Sequence, residues 1–321
     1  MRTLVYHAGA LGDFITILPA LAEWRRRNPD CTLVLLGRPA FAPLAAIPPA
    51  HVWDIDRAGY APLFRESGNL PPALAASLGS FPSALLFARD DSPLVKHVRA
   101  FVPTVHHQPP FPDSRIPIGA YRESLLPGPF GVSRIPALPS GFSSRDQARE
   151  LIPPGQRKRT VVIHPGSGSA RKNWPFERFL ACAGSFRSQG LSVAWIAGPA
   201  EEACPVPPGD ILLRNLPLPA IAEVLRGSCL YLGNDSGISH LAAAAGCRSV
   251  VLFGASDAMV WRPAGQHVTV VSNTPACSPC HPGTRPQCDN RCMHGIPADQ
   301  VLEVIRELLN ADNPGDTIYF A

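Results

Sequence analysis

The chain has 321 residues, 37 of them proline, a formal net charge of +4 and a charged fraction of 17%. That length favours two domains over one. The mild charge, an aromatic fraction of 7% and the lack of an RNP-type stacking motif exclude a dedicated nucleic-acid binder. No run is long and uncharged enough to span a bilayer. His7 and Asp13 interrupt the first apolar stretch, where a signal peptide needs continuity, so a cytoplasmic protein is expected.

In chain order, Thr3–His7, Thr32–Leu36, Val52–Ile55 and Ala84–Phe87 are short apolar runs suited to buried parallel strands. A helical pattern from Phe14 to Arg27 separates the first two and stops at Asn28-Pro29. From 109 to 157 the chain is proline-rich and weakly periodic, ending in Pro153-Pro154-Gly155, which places the domain boundary there: 1–155 and 156–321. The second half repeats the alternation. Strands are expected at Thr160–His164, Ser192–Ala197, Cys229–Leu232, Ser249–Phe253 and Val268–Ser272, and helices at Pro175–Ser188, Leu218–Arg226 and Ser236–Ala245. A closing amphipathic helix covers 298–310, with Val301, Leu302, Ile305, Leu308 and Leu309 on one stripe. The fold class is therefore α/β: two doubly wound parallel-sheet domains facing across a cleft, with ligands at the carboxyl ends of the strands.

Three strand-to-helix junctions carry chemistry. At His164-Pro-Gly-Ser167-Gly168-Ser169-Ala-Arg-Lys172, glycines and serines let amides and hydroxyls approach a phosphate, and Lys172 adds a mobile positive charge. It is neither a Walker A loop nor a G-x-G-x-x-G turn, and a bare turn is its bland reading. At Asn234-Asp235-Ser236-Gly237-Ile-Ser-His240, a strand runs into a helix start whose unpaired amides form a second anion site; Asp235 or Ser236 as helix cap is compatible with that. His240 lies one turn beyond Ser236 and can face the same phosphates. Glu201 and Glu202, just past a strand, suit ribose hydroxyls, although acids starting a helix are common. The basic runs at Arg25–Arg27, Arg157–Arg159 and Arg171-Lys172 suit phosphate-bearing substrates or an anionic membrane surface, against solvated surface as the bland reading.

Gly9-Ala-Leu-Gly12-Asp13, His164-Pro-Gly-Ser-Gly with Lys172-Asn-Trp-Pro, and Asn234-Asp-Ser-Gly-Ile-Ser-His-Leu-Ala-Ala-Ala occur in the order found in glycosyltransferase family 9, the ADP-heptose:lipopolysaccharide heptosyltransferases, which this chain resembles. Leu252-Phe-Gly-Ala-Ser-Asp and Trp261-Arg-Pro look like the family too, whereas 40–155 holds little that is diagnostic. The resemblance implies a GT-B architecture, with the acceptor on the N-terminal domain and the nucleotide-sugar donor on the C-terminal one. It implies inverting transfer of a heptose from a nucleotide diphosphate sugar, ADP-heptose, to the lipopolysaccharide inner core, with no cofactor or metal required. By position, Lys172 contacts the diphosphate, Ser236 and Gly237 hold the phosphates, Asp235 faces the sugar hydroxyls and Glu202 the ribose. Gly9, Gly12 and Asp13 fall on the acceptor side, with Asp13 as general base; helix capping is the competing reading of Asp13. Such an enzyme would touch the cytoplasmic face of the inner membrane peripherally.

Cys277, Cys280, Cys288 and Cys292 have a spacing that can build a structural zinc site, with His281 and His294 as alternative ligands; reduced thiols and redox chemistry are the other readings. Other functions weighed are transfer from a different nucleotide sugar, a GT-B nucleotide-sugar epimerase, an inactive binding module, and a nicotinamide-dependent oxidoreductase, whose G-x-G-x-x-G turn the sequence lacks.

Overall fold

The computed structural model describes residues 1–128, 137–198, 205–280, 288–310 and 318–320. They form two compact units, Met1–Pro139 and Ser140–Ala321. The first contains β1 (Arg2–His7), α1 (Leu11–Arg27), β2 (Thr32–Gly37), β3 (Val52–Asp54), α2 (Pro72–Gly79), β4 (Ser83–Phe87), α3 (Pro93–Phe101), β5 (Thr104–Gln108) and α4 (Ile118–Glu123). Its sheet is wholly parallel in the order β3-β2-β1-β4-β5. β1 lies at its centre and is buried from Thr3 to His7, which is why its run is apolar rather than alternating. Where β1 and β4 begin, Trp24 Nε1 donates to Thr3 Oγ1 at 3.0 Å and Thr3 shares a 2.7 Å hydrogen bond with Ser83, so these buried polar atoms are satisfied.

The second unit holds α5 (Phe142–Leu151), α6 (Pro154–Arg157), β6 (Thr160–His164), α7 (Phe176–Ser188), β7 (Ser192–Ala197), β8 (Ile211–Arg214), α8 (Leu218–Gly227) and β9 (Leu230–Asn234). α9 (Gly237–Ala244), β10 (Ser249–Phe253), α10 (Ala258–Trp261), β11 (Val268–Ser272), α11 (Arg291–His294), α12 (Ala298–Asn310) and β12 (Ile318–Phe320) follow. Seven parallel strands run β12-β11-β10-β9-β6-β7-β8. Chain order reverses between β6 and β9, so the loops leaving these two strands flank the topological switch point. Val301, Val304, Ile305 and Leu308 of α12 are buried in the same core as Trp174, Phe179 and Trp195. Leu302 and Leu309 pack at its margin, so the buried stripe is narrower than expected and includes Val304.

The units part at 139–140, not at 155. α5 packs on α8, and at its start Ser140 donates to Glu223 of α8 while accepting from Arg145 Nε at 2.6 Å. Residues 140–155, placed before the boundary by the proline pattern, therefore open the second unit.

Candidate functional site

In the first unit, the residues singled out gather at the carboxyl end of β1. α1 begins at Leu11, three residues earlier than the periodicity suggests, so Asp13 lies inside its first turn. Asp13 Oδ2 accepts the Ala10 backbone N–H at 3.2 Å, which makes the capping reading true of one carboxylate oxygen. Gly9 is needed for close approach: a Cβ there would lie 3.0 Å from Asp13 Oδ2 and 3.1 Å from His7 Cε1. Arg122 is sealed behind this turn, 1% exposed. It donates to Thr16 Oγ1 at 3.4 Å, to Gln108 Oε1 at 3.0 Å, and to the carbonyls of Pro109 and Pro110 at 3.2 and 2.6 Å. Burial holds this guanidinium at about 10, with the Asp13 charge acting in the opposite direction.

His7 is 4% exposed, and its Nδ1 has no hydrogen-bond partner among the described residues. Burial first, then the charges of Arg122 and Arg38, push its pKa from 6.5 to about 3. The unfolded chain therefore binds one more proton than the folded chain between these two values, and stability falls as pH is lowered through that window. From pH 7 to pH 4 His7 is expected to cost roughly 3 kcal/mol. His7→Gln should remove most of that loss in urea unfolding at the two pH values. Glu23, held at about 2 chiefly by hydrogen bonds from Arg26, loses its contribution in the same direction and does so in both proteins. An unchanged pH dependence in His7→Gln would show that the histidine is not the source.

In the second unit, the site is built from two loops. After β6, Ser167 Oγ donates to Asn173 Oδ1 and to the Ser169 carbonyl, each at 2.7 Å, closing a tight turn whose last residue is Lys172. After β9, Asn234 ties the loops together: its Nδ2 donates to the Pro165 carbonyl at 2.7 Å and its Oδ1 accepts from Trp174 N at 3.0 Å. Ser236 is the N-cap of α9, its Oγ accepting from Ser239 N at 3.4 Å and lying 3.3 Å from His164 Nδ1. Gly237 opens that helix and His240 is buried in its first turn, 5% exposed. Lys172 Nζ lies 2.7 Å from Asp235 Oδ2, with the lysine side chain 35% exposed and the aspartate 8%. These loops thus join a cation, a carboxylate and a helix N-terminus at the switch point of the sheet.

Beside them is a cavity of about 360 Å³, walled by Ile196, Ala197, Asn215, Leu216 and Ile221 and bordered by His164 and Ile238 of the loops just described. Its apolar walls and single amide suit a flat heterocycle. Sequence reasoning missed Asn215, Leu216 and Ile221: they come from the connection between β8 and α8 and from α8, which carry no motif, and only the fold brings them beside His164. Gly168 and Ser169 lie in the β6 loop as expected, whereas Glu201 and Glu202 lie outside the described residues. Cys277, Cys280, Cys288 and Cys292 are not joined in disulfides. Among the described residues no three His, Cys, Asp or Glu side chains gather as a metal requires, and His281 is outside that set. No described helix is long and apolar enough to cross a membrane.

Parallel sheets of this strand order, with a cation, a carboxylate and a helix N-terminus at the switch point of the second, define a doubly wound α/β protein. Residues 137–290 match the sequence profile of glycosyltransferase family 9 (heptosyltransferase). Lipopolysaccharide heptosyltransferase 3 of Escherichia coli is 28% identical over 182 residues, 53% of each chain. The chain thus spans about half the length of the curated relatives it matches. Two solved structures share the fold. E. coli ADP-heptose lps heptosyltransferase II has a TM-score of 0.71 at 16% identity, covering 96% of this chain and 98% of that one. The iron-containing dodecameric glycosyltransferase TibC of enterotoxigenic E. coli has a TM-score of 0.60 at 18% identity, covering 97% and 78%. Residues 137–290, just under half of the chain, thus resemble glycosyltransferase family 9, and the fold is that of the GT-B glycosyltransferases.

Proposed function

We propose that this protein is an inverting glycosyltransferase that moves a heptose from ADP-heptose to the inner core of lipopolysaccharide, working at the cytoplasmic face of the inner membrane without a catalytic metal. The observation that carries this reading is the gathering of Lys172, Asp235 and the N-terminus of α9 beside the cavity, all within the segment matched by the family. The cavity takes the nucleoside. Lys172 and the α9 amides stabilise charge on the departing diphosphate, and Asp235 meets hydroxyls of the sugar.

Transfer is a single displacement. The acceptor oxygen forms a bond to the anomeric carbon as the bond to the diphosphate breaks, inverting that centre. The hydroxyl proton passes to Asp13, and the electron pair leaves with the nucleoside diphosphate. Of the titratable groups beside Gly9, His7 is too weak a base at about 3 to hold that proton near neutral pH, which leaves the carboxylate. The oxygen of Asp13 that does not cap α1 is free for this role among the described residues.

Calorimetry of the purified chain against ADP, UDP and GDP and their sugars tests the donor. Binding of ADP and ADP-heptose in preference to the others is expected. Preference for UDP or GDP, or no transfer from any nucleotide sugar by folded protein, would sink the heptose reading.

A further inference from the structure

Asp235 is placed by more than its own loop. Its backbone N–H donates to the Leu252 carbonyl of β10 at 3.0 Å, which fixes its position along the chain. Its side chain is fixed from two other segments, because Oδ2 accepts both Lys172 Nζ at 2.7 Å and the hydroxyl of Ser256. Ser256 lies in the turn between β10 and α10, far in sequence from both partners and outside the loops that carry the phosphate-binding pattern. That turn is itself held: Ser278 donates to the Gly254 carbonyl, Cys280 N donates to the Ala255 carbonyl at 2.7 Å, and Asp257 caps α10 through the Met259 N–H at 2.9 Å. The second oxygen of Asp235, Oδ1, accepts no hydrogen bond from the described residues.

Two donors on one oxygen and none on the other make a carboxylate with a fixed plane and one working atom. Lys172 can leave this pair, because its stem is flexible and a diphosphate is a stronger attractor than one carboxylate. Ser256 bears no charge and sits on a braced turn, so a diphosphate does not draw it away. We propose that Ser256 is a positioning residue for the donor sugar: it holds Asp235 in place while Lys172 moves to the diphosphate, so that Oδ1 receives a sugar hydroxyl. This deepens the donor-site reading given above and rests on it. Its consequence is selective, since a nucleoside diphosphate without a sugar makes no use of Asp235 Oδ1.

The test is calorimetry on the full chain with ADP and ADP-heptose as probes, comparing wild type, Ser256→Ala and Ser256→Thr. Ser256→Ala is expected to bind ADP-heptose about tenfold more weakly, the range of a hydrogen bond to a charged group, while ADP affinity stays within about twofold. Ser256→Thr keeps the hydroxyl and should recover most of the loss. Equal weakening toward both probes, or no weakening toward either, overturns the role of Ser256 while leaving the donor site standing. So does failure of the threonine variant to recover while its thermal midpoint matches wild type. A wild type that binds neither probe overturns the donor-site reading itself and the proposal with it, and that result appears before any variant is made.

Discussion

Asp13→Asn is expected to lower kcat for transfer by about 10²–10⁴, the usual contribution of a positioned general base, with donor affinity unchanged. Asparagine is the informative replacement because of what Asp13 does for α1. Its Oδ2 accepts the Ala10 N–H at 3.2 Å, and an amide oxygen can accept the same bond. The variant therefore loses the base but keeps the cap; its stability should fall by the charge–dipole contribution of about 0.3–1 kcal/mol and by the lost attraction between the Asp13 charge and the buried Arg122 guanidinium. Asp13→Ala removes both and should lose a further ~1 kcal/mol in urea unfolding. Single-turnover transfer, calorimetric donor affinity and unfolding, measured on the three proteins, separate the two roles. If Asp13→Asn turned over at the wild-type rate while Asp13→Ala was merely unstable, the carboxylate would be a helix cap and the base would have to be sought elsewhere.

Much of the scaffold under these residues was legible in the sequence, for a physical reason. Strands covered on both faces read as unbroken apolar runs, so Thr160–His164, Ser192–Ala197 and Ser249–Phe253 were found at their observed limits. The edge strands β5 and β8 escaped. β5 is Thr-Val-His-His-Gln, half-buried with no apolar run, and β8 is four residues long with Leu212 38% exposed. The proline-rich stretch from 109 to 157 looked weakly periodic because its signals are turns. The fold uses it to form α4 and α5 and to supply the Pro109 and Pro110 carbonyls that receive Arg122. An arginine whose partners are two backbone oxygens and two distant neutral side chains, Thr16 and Gln108, leaves no charge pattern to recognise. The same holds for the donor site: Lys172, Asp235 and Ser236 stood out because they punctuate strand-to-helix junctions. The cavity wall did not, and Ser256 showed only as one residue of Leu252-Phe-Gly-Ala-Ser-Asp with no role of its own, since both matter through neighbours that the sheet brings together.

Lys172→Met should weaken binding of ADP and ADP-heptose by at least about tenfold, the lower range for a charge-assisted contact, and should also destabilise the unliganded protein. The second effect follows from the ion pair. Asp235 is 8% exposed at its side chain and sits 2.7 Å from Lys172 Nζ; without the lysine, Ser256 is the remaining side-chain donor to its Oδ2. Stranding a fully buried charge costs about 3–5 kcal/mol. Here the lysine is 35% exposed and water can approach the site, so about 1–3 kcal/mol is expected. Adding Asp235→Asn removes the stranded charge and should restore more than half of the lost stability, yet it returns no cation to the diphosphate, so ADP affinity should stay low. The two readouts therefore diverge in the double variant, which a purely structural ion pair would not produce. Should the double variant bind ADP as tightly as wild type, Lys172 holds the loop together and the α9 amides alone carry the diphosphate. If stability stays low in the double variant, the damage comes from the loop itself, not from an uncompensated carboxylate.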